Sequence, residues 1–306
     1  MFGVTILGSN SAQPAYNRHP AAQVVTLNNH QFLIDCGEGT QMQMASFKVR
    51  KSRIQYIFIS HLHGDHYFGL PGLLNSMALS GRTLPVYLFA PAPLHELLNS
   101  IFKAAGTILP FELIFQPLQE GVLLNTDQFS FECFEVAHRI ECFGCVVREK
   151  KRPRKLEVSK ANQYLIPPNL YESLTAGEDV VLADGTHILN EWVTKPTPQP
   201  RSYAYTADTS YYPEIIEHIK NVTLLYHETT YLAEDKEKAK MRFHSTTEDA
   251  AAIAKAAGVH QLLIGHFSSK YENLNEFLTQ THNIFPNTEL AIEGTTFRVM
   301  LPYHPF

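Results

Sequence analysis

The hydrophobic pattern of this chain is one of short apolar runs, each stopped by a polar or glycine-rich cluster. Residues 4–7 predict a first strand, followed by a Gly/Ser/Asn/Pro loop over residues 8–14. Residues 24–27 and 32–35 predict a hairpin turned near Asn28-Asn29-His30. Residues 54–59 form an apolar, β-branched and aromatic run that predicts a buried strand. Further strands are predicted over 86–89, 112–115, 129–136, 142–147, 203–206, 223–226, 262–264 and 296–300. Helices are predicted over 41–47, 73–79, 94–105, 213–219, 234–240 and 274–281. Ser245-Thr246-Thr247-Glu248 reads as a capping box opening an Ala-rich helix that Gly258 ends.

The run at 54–59 ends in His61-Leu62-His63-Gly64-Asp65-His66. Three imidazoles and a carboxylate stand within six residues, just past a strand, where open α/β sheets hold their sites. Neutral imidazole and carboxylate are zinc-type ligands, and His61 and His63 alternate so that both can face one ion. Asp65 and His66 follow the turn and can face a second. Chance clustering among fifteen histidines is the alternative. What weighs against it is that five separate strands end in a candidate group: His61 to His66, His138, Asp208, His227-Glu228 and His266. His61, His63 and His138 suit one ion, and Asp65, His66 and His266 a second. Asp208 can bridge, since a carboxylate has two oxygens. A metal hydroxide between them would be the nucleophile. Asp35, in Asp35-Cys36-Gly37-Glu38-Gly39, is either a turn cap or a carboxylate that orients a ligand.

Composition changes this picture little. The chain has 306 residues, 44% hydrophobic and 18% charged, with a formal net charge of −5. That charge argues against general nucleic-acid binding, so any such contact must be local. No apolar run approaches a membrane span. The first residues lack a basic leader and read as a strand, and four cysteines give no secreted disulfide framework, so a cytoplasmic protein is expected. Cys142 and Cys145 read as strand residues and not as a metal or redox pair. One segment departs from the rest: residues 148–155 hold six basic residues and one acid. They open an insertion over 148–192, expected to carry a small helix and a hairpin, and they read equally as solvated surface or as a phosphate-binding patch.

These motifs together resemble the metallo-β-lactamase-fold hydrolases, and within them the ribonuclease Z family of tRNA 3′-processing endoribonucleases. The His61–His66 motif matches the superfamily. Asp35-Cys36-Gly37-Glu38-Gly39-Thr40-Gln41, Ala207-Asp208-Thr209, His227-Glu228-Thr229-Thr230, His244-Ser245-Thr246 and Gly265-His266-Phe267-Ser268-Ser269-Lys270-Tyr271 resemble the narrower family, in its order. The resemblance implies an α/β, four-layer αβ/βα sandwich: one domain over residues 1–306, with residues 148–192 as an inserted, flexible tRNA-binding arm. It implies two zinc ions per chain, manganese or another divalent ion being the alternative, and a homodimer. The metal ligands would be His61, His63, Asp65, His66, His138, Asp208 and His266. The catalytic residues would be Asp65, His244 as general acid and Glu228 as its positioning carboxylate. The implied reaction removes the 3′ trailer from precursor tRNA, leaving a tRNA 3′-hydroxyl and a trailer 5′-phosphate. The alternative is a small-molecule phosphodiesterase of cyclic-nucleotide type. A catalytically dead RNA-binding protein would show broken ligands, and none is broken here. A redox di-iron protein of this fold has Glu where His63 stands. Two departures are visible: Pro167-Pro168-Asn169-Leu170 stands where the arm's Gly-Pro element is expected, and the loop Gly8-Ser9-Asn10-Ser11-Ala12 has fewer glycines than the family form.

Overall fold

The apolar runs become the strands of two seven-stranded sheets in a computed structural model that describes residues 1–301. The first sheet contains β1 (Phe2–Gly8), β2 (Ala22–Leu27), β3 (His30–Cys36), β4 (Tyr56–Phe58), β5 (Val86–Ala90) and β6 (Leu113–Pro117). The second contains β7 (Gly121–Asn125), β8 (Phe129–Glu135), β9 (Phe143–Glu149), β10 (Ser202–Tyr205), β11 (Leu224–Glu228), β12 (Gln261–Gly265) and β13 (Thr288–Leu290). The last strand, β14 (Thr296–Arg298), returns to pair antiparallel with β1. Strands β3 to β6 run parallel to one another, as do β10 to β13. Parallel neighbours require crossovers. These carry helices α1 (Thr40–Ser46), α2 (Gly64–Tyr67), α3 (Leu70–Leu79) and α4 (Pro93–Ala104) in the first half. The second half supplies α5 (Ile216–Ile219), α6 (Lys236–Met241), α7 (Thr247–Ala257) and α8 (Asn275–His282).

The period-two alternation of the strands sorts their side chains into two layers of core. Leu33, Ile57 and Leu88 face outward and pack with Met44, Leu73, Leu74 and Leu94 of the helices. Their neighbours Phe32, Phe58 and Phe89 face the other sheet, where their rings lie 5.3, 5.7 and 5.7 Å from that of Phe131 on β8. Ala204, Leu225 and Leu262 pack with Ile219, Ile253 and Phe277 in the matching layer. The order is therefore helix, sheet, sheet, helix, the four-layer αβ/βα sandwich that the sequence resemblance implies. Among the described residues no helix is long and apolar enough to cross a membrane.

Close backbone contacts set the entrance to α3. Gly69 N donates to Cys36 O at 2.9 Å, and a Cβ on Gly69 would lie 2.1 Å from Gly37 O. A Cβ on Gly37 would in turn lie 2.4 Å from Asp65 O. The two glycines let the histidine motif rest on the turn after β3. Gly69→Ala is expected to cost about 3 kcal/mol, the upper range for overpacking, read as a lowered urea midpoint with an unchanged slope.

Three sequence expectations shift. The capping box is one residue later: Thr246 caps α7 with Asp249, whose carboxylate accepts from Thr246 N at 3.0 Å. Ser245 is elsewhere engaged, donating to Thr209 O at 2.7 Å. Cys142 lies just before β9, although both it and Cys145 are buried. Strands β7 and β13 fall outside the predicted set: each is a short edge strand without clear alternation.

Residues Arg148–Pro200, with Thr126–Phe129, form a second compact unit. Ala161, Ile166, Leu174, Val180, Ile188 and Val193 make its core. It holds helices Val158–Gln163, Tyr171–Ala176 and Asn190–Val193, more than the single helix expected. Two short ladders pair Lys155–Leu156 with Thr194–Lys195 and Val180–Val181 with His187–Ile188.

Candidate metal centre

The carboxyl ends of parallel strands from both sheets deliver the polar groups of the site. Asp35 ends β3, His61 follows β4, Asp208 follows β10, Glu228 ends β11 and His266 follows β12. Open α/β sheets hold ligands at such ends. The chain leaves three of these strands through left-handed residues, Asp35 (φ 56°), Ala207 (φ 55°) and His266 (φ 62°). Such conformations in non-glycine residues are uncommon and cluster where a side chain must be aimed.

The sequence-predicted residues come together in three overlapping groups of donor atoms, two of which hold the seven expected ligands and the third of which joins His244 to Asp208 and His266. His61, His63, His138 and Asp208 place one ligand atom each within 4.8 Å of one another, and Asp65, His66 and His266 do the same. In the first group His63 Nδ1 lies 3.0 Å from His61 Nε2 and 3.1 Å from His138 Nε2. Asp208 Oδ2 closes the group at 3.6 Å from His61 Nε2 and 4.0 Å from His138 Nε2. In the second, Asp65 Oδ2 lies 3.6 Å from His66 Nε2 and 3.5 Å from His266 Nε2. Asp208 Oδ1 lies 3.4 and 3.2 Å from the same two nitrogens. A tetrahedral ion with bonds of about 2.05 Å separates its ligands by about 3.3 Å, the middle of both sets. Asp208 thus turns one oxygen to each group.

The far side of each ring is fixed. His61 Nδ1 donates to Ser60 Oγ at 3.0 Å, and that hydroxyl donates to Asp35 at 2.9 Å. Asp35 also accepts from His66 Nδ1 at 2.8 Å and from the Tyr205 hydroxyl at 2.6 Å. It therefore fixes the His66 ring directly and the His61 ring through Ser60, which is more than a turn cap would do. His138 Nδ1 donates to Phe243 O at 2.9 Å, and His266 Nδ1 to Thr230 Oγ1 at 3.0 Å. With Nδ1 protonated, each of these four rings turns the Nε2 lone pair inward. His66 Nε2, His266 Nε2 and Asp208 Oδ1 are buried and have no hydrogen-bond partner among the described residues. Buried polar atoms are rarely left so, and converging lone pairs repel. A cation satisfies them, so the donor set fits divalent metal.

Electrostatics show how much negative charge the donors gather. Burial disfavours charge on His66, yet the carboxylates of Asp208, Asp65 and Asp35 raise its pKa well above the usual value, so a proton is held where a cation would otherwise sit. Burial pushes His61 well below its usual pKa and His63 down to about 4, holding both in the neutral form that binds metal. Burial opposes ionisation of Asp208, but His266 and His66 outweigh it and hold the carboxylate well below its usual range. Burial likewise raises Cys142 and Cys145 well above the usual thiol value, which makes them inert.

Beside the second group stands a hydrogen-bonded dyad. Glu228 is buried and accepts from His244 Nδ1 at 2.7 Å, from Thr209 N at 3.1 Å and from Thr230 N at 2.9 Å. Burial disfavours charge on His244, yet the Glu228 carboxylate lifts it to about 9. His227, on the opposite face of β11, is not part of the centre: its Nδ1 donates to Glu228 O at 2.7 Å. Sequence reasoning missed Ser60, Tyr205, Thr230 and the backbone donor Ala12 N, which reaches Asp65 Oδ2 at 2.7 Å. It also missed Arg139, whose Nη2 lies 2.9 Å from His63 Nε2. Ser60 and Thr230 stand close to His61 and Glu228 in the sequence but belong to no ligand pattern, whereas Tyr205, Ala12 and Arg139 meet their partners only in space.

Comparison with known proteins follows the same lines. The family of the Anti-Pycsar protein Apyc1 matches residues 2–151. The human tRNase Z, short form (ELAC1), superposes with a TM-score of 0.72 at 26% identity, covering 98% of this chain and 100% of that one. The metallo-β-lactamase fold protein YhfI from Bacillus subtilis, at 17% identity and a TM-score of 0.69, shares the fold, covering 97% of this chain and 100% of its own. A ribonuclease Z of Nostoc sp. is 36% identical over 97% of this chain and 94% of its own length. A ribonuclease Z of Bacteroides fragilis is 39% identical over 96% of this chain and 97% of its own length, and by this near-complete likeness the chain belongs to the ribonuclease Z family.

Proposed function

We propose that this chain is a zinc-dependent endoribonuclease that removes the 3′ trailer from precursor tRNA. The near full-length likeness to ribonucleases Z carries the reading, and the two donor groups with their adjacent dyad supply matching chemistry. His61, His63, His138 and Asp208 would hold one ion, and Asp65, His66, His266 and Asp208 the second. Bound there, the ions supply Lewis-acid polarisation of the phosphodiester and acidify an attacking water. Cleavage leaves a tRNA 3′-hydroxyl, so the departing ribose oxygen needs a proton. His244 is placed to give it: Glu228 engages Nδ1, which leaves Nε2 to donate. Glu228 itself is locked by three further bonds, to Thr209 N, Thr230 N and Thr230 Oγ1. We take the protein to be a homodimer, as the sequence resemblance implies, which light scattering can test, and a cytoplasmic one, which its free cysteines, without a disulfide framework, support.

The test is to incubate the protein, with zinc or manganese, with a 3′-extended precursor tRNA, beside an Asp65→Ala control. Cleavage at the discriminator base or after CCA, absent from the control, is expected. Metal-dependent hydrolysis of a simple diester without cleavage of tRNA would move the assignment to a small-molecule phosphodiesterase.

The inserted unit is read as a tRNA-binding arm on its charge. Lys150, Lys151 and Arg152 are exposed or partly so, in a chain that is acidic elsewhere. Neutralising all three is expected to raise KM for precursor tRNA about tenfold with kcat little changed. The salt dependence of log KM should lose roughly 2 units of slope, about 0.7–0.9 per phosphate contact. Equal KM values across a salt series would refute the arm's electrostatic role.

A further inference from the structure

The loop singled out by its few glycines, Gly8 to Ala12, has a job that the reaction above does not assign. It crosses the centre and is pinned at both ends. Ser9 O accepts from Phe267 N at 2.9 Å, and Ser11 N donates to Phe267 O at 2.9 Å, which ties the loop to the residue after His266. Ala12, held in the left-handed region at φ 62°, then donates its N–H to Asp65 Oδ2 at 2.7 Å. That oxygen is the one turned toward His66 Nε2 and His266 Nε2.

The root of the loop rests on one carboxylate from the other end of the chain. Glu293, between β13 and β14, has a side chain only 9% exposed. Its Oε1 accepts from Ser9 N at 3.1 Å and from His19 N at 2.6 Å. Its Oε2 accepts from His19 Nδ1 and from Gln43 Nε2, each at 2.9 Å. Gln43 belongs to α1 and also donates to Leu7 O at 3.1 Å, so its amide cannot reverse without losing that bond. With the Ser9 hydroxyl, 3.4 Å from Oε1, five donors from three segments therefore converge on a group that offers only acceptors.

We infer that Glu293 is a positioning residue for the second metal ion: by fixing the Ser9–Ala12 loop it sets the Ala12 N–H that orients the Asp65 carboxylate. The inference rests on the reading of Asp65, His66, His266 and Asp208 as that ion's ligands. Glu293→Gln is the informative change. It keeps the volume and one acceptor, but turns an amide donor toward the donors of His19 and Gln43. Outer partners of metal ligands are worth about 10–100-fold in affinity.

The experiment is a zinc titration of the intact chain in competition with a chromophoric chelator, which returns two affinities. In Glu293→Gln the weaker or second affinity is expected to fall about 10–100-fold, and the first to hold within about twofold. Saturating zinc should then restore cleavage, because the ligands themselves are intact. Gln43→Met, which withdraws one donor from the same carboxylate, should move the second ion the same way by a smaller factor, and it becomes the deciding variant if the glutamine variant does not fold. An unchanged second affinity, or equal loss of both ions, overturns the inference. Wild-type protein that takes up only one zinc overturns the two-ion reading instead, and this inference with it.

Discussion

Asp208→Ala is expected to empty both donor groups at once and to lower kcat/KM for precursor tRNA by at least about 10⁴-fold, roughly 5.4 kcal/mol of transition-state stabilisation. The reason is geometric. Asp208 is the one residue with an oxygen in each group, Oδ2 toward His61 and His138 and Oδ1 toward His66 and His266. It is also fully buried, so no water can take its place without reorganising the strand end. Asp65→Ala differs, because Asp65 closes only the second group. Metal analysis of dialysed protein separates the two: near-zero zinc for Asp208→Ala and close to one ion for Asp65→Ala. Thermal melting gives an independent reading. Ligand binding to the folded state raises its stability in proportion to RT ln(1 + [L]/Kd), so added zinc should raise Tm of the wild type and leave that of Asp208→Ala unmoved. Wild-type zinc content in Asp208→Ala would sink the bridging role.

Much of this candidate centre was legible in the sequence because its donor groups sit at strand ends. A short apolar run ending in His or Asp is a local pattern, and the fold turns that local pattern into convergence, since parallel strands deliver their carboxyl ends to one edge. The order of layers was expected only from the family resemblance; its physical basis, Leu33 and Ile57 outward and Phe32 and Phe58 inward, is seen in the structure. What stayed hidden was pairwise and long-range. Tyr205 reaches Asp35 across 170 positions, and Gln43 reaches Glu293 across 250. No periodicity encodes such contacts. The edge strands β7 and β13 escaped for a related reason. Their neighbours, β8 and β12, define them, and their own side chains do not alternate. The capping box slipped by one because three consecutive hydroxyl residues, Ser245, Thr246 and Thr247, can each open a helix. Tertiary demand chose among them: Ser245 was already bound to Thr209 O.

His244→Ala is expected to slow precursor tRNA cleavage about 10²–10⁴-fold while changing hydrolysis of a bis(p-nitrophenyl) diester by no more than about threefold. The contrast isolates the proton. A ribose alkoxide is a poor leaving group and departs only as its oxygen is protonated. A nitrophenolate is stable as the anion and leaves unaided. A residue that merely helped to hold metal or to shape the pocket would slow both substrates together. The geometry favours the first case. One His244 nitrogen falls within 4.8 Å of donor atoms of Asp208 and His266, but His244 Nδ1 is committed to Glu228 at 2.7 Å and the ring lies 5.5 Å from that of His266, which sets it apart from the Asp65, His66 and His266 donors. Glu228→Gln should follow the same selectivity with a smaller loss, because an amide still accepts from Nδ1 but no longer stabilises the imidazolium. Its buried bonds to Thr209 N and Thr230 N are kept by the amide oxygen only in part, so a drop in Tm is expected as well. Equal losses on both substrates in His244→Ala, with metal content unchanged, would move the proton donor elsewhere.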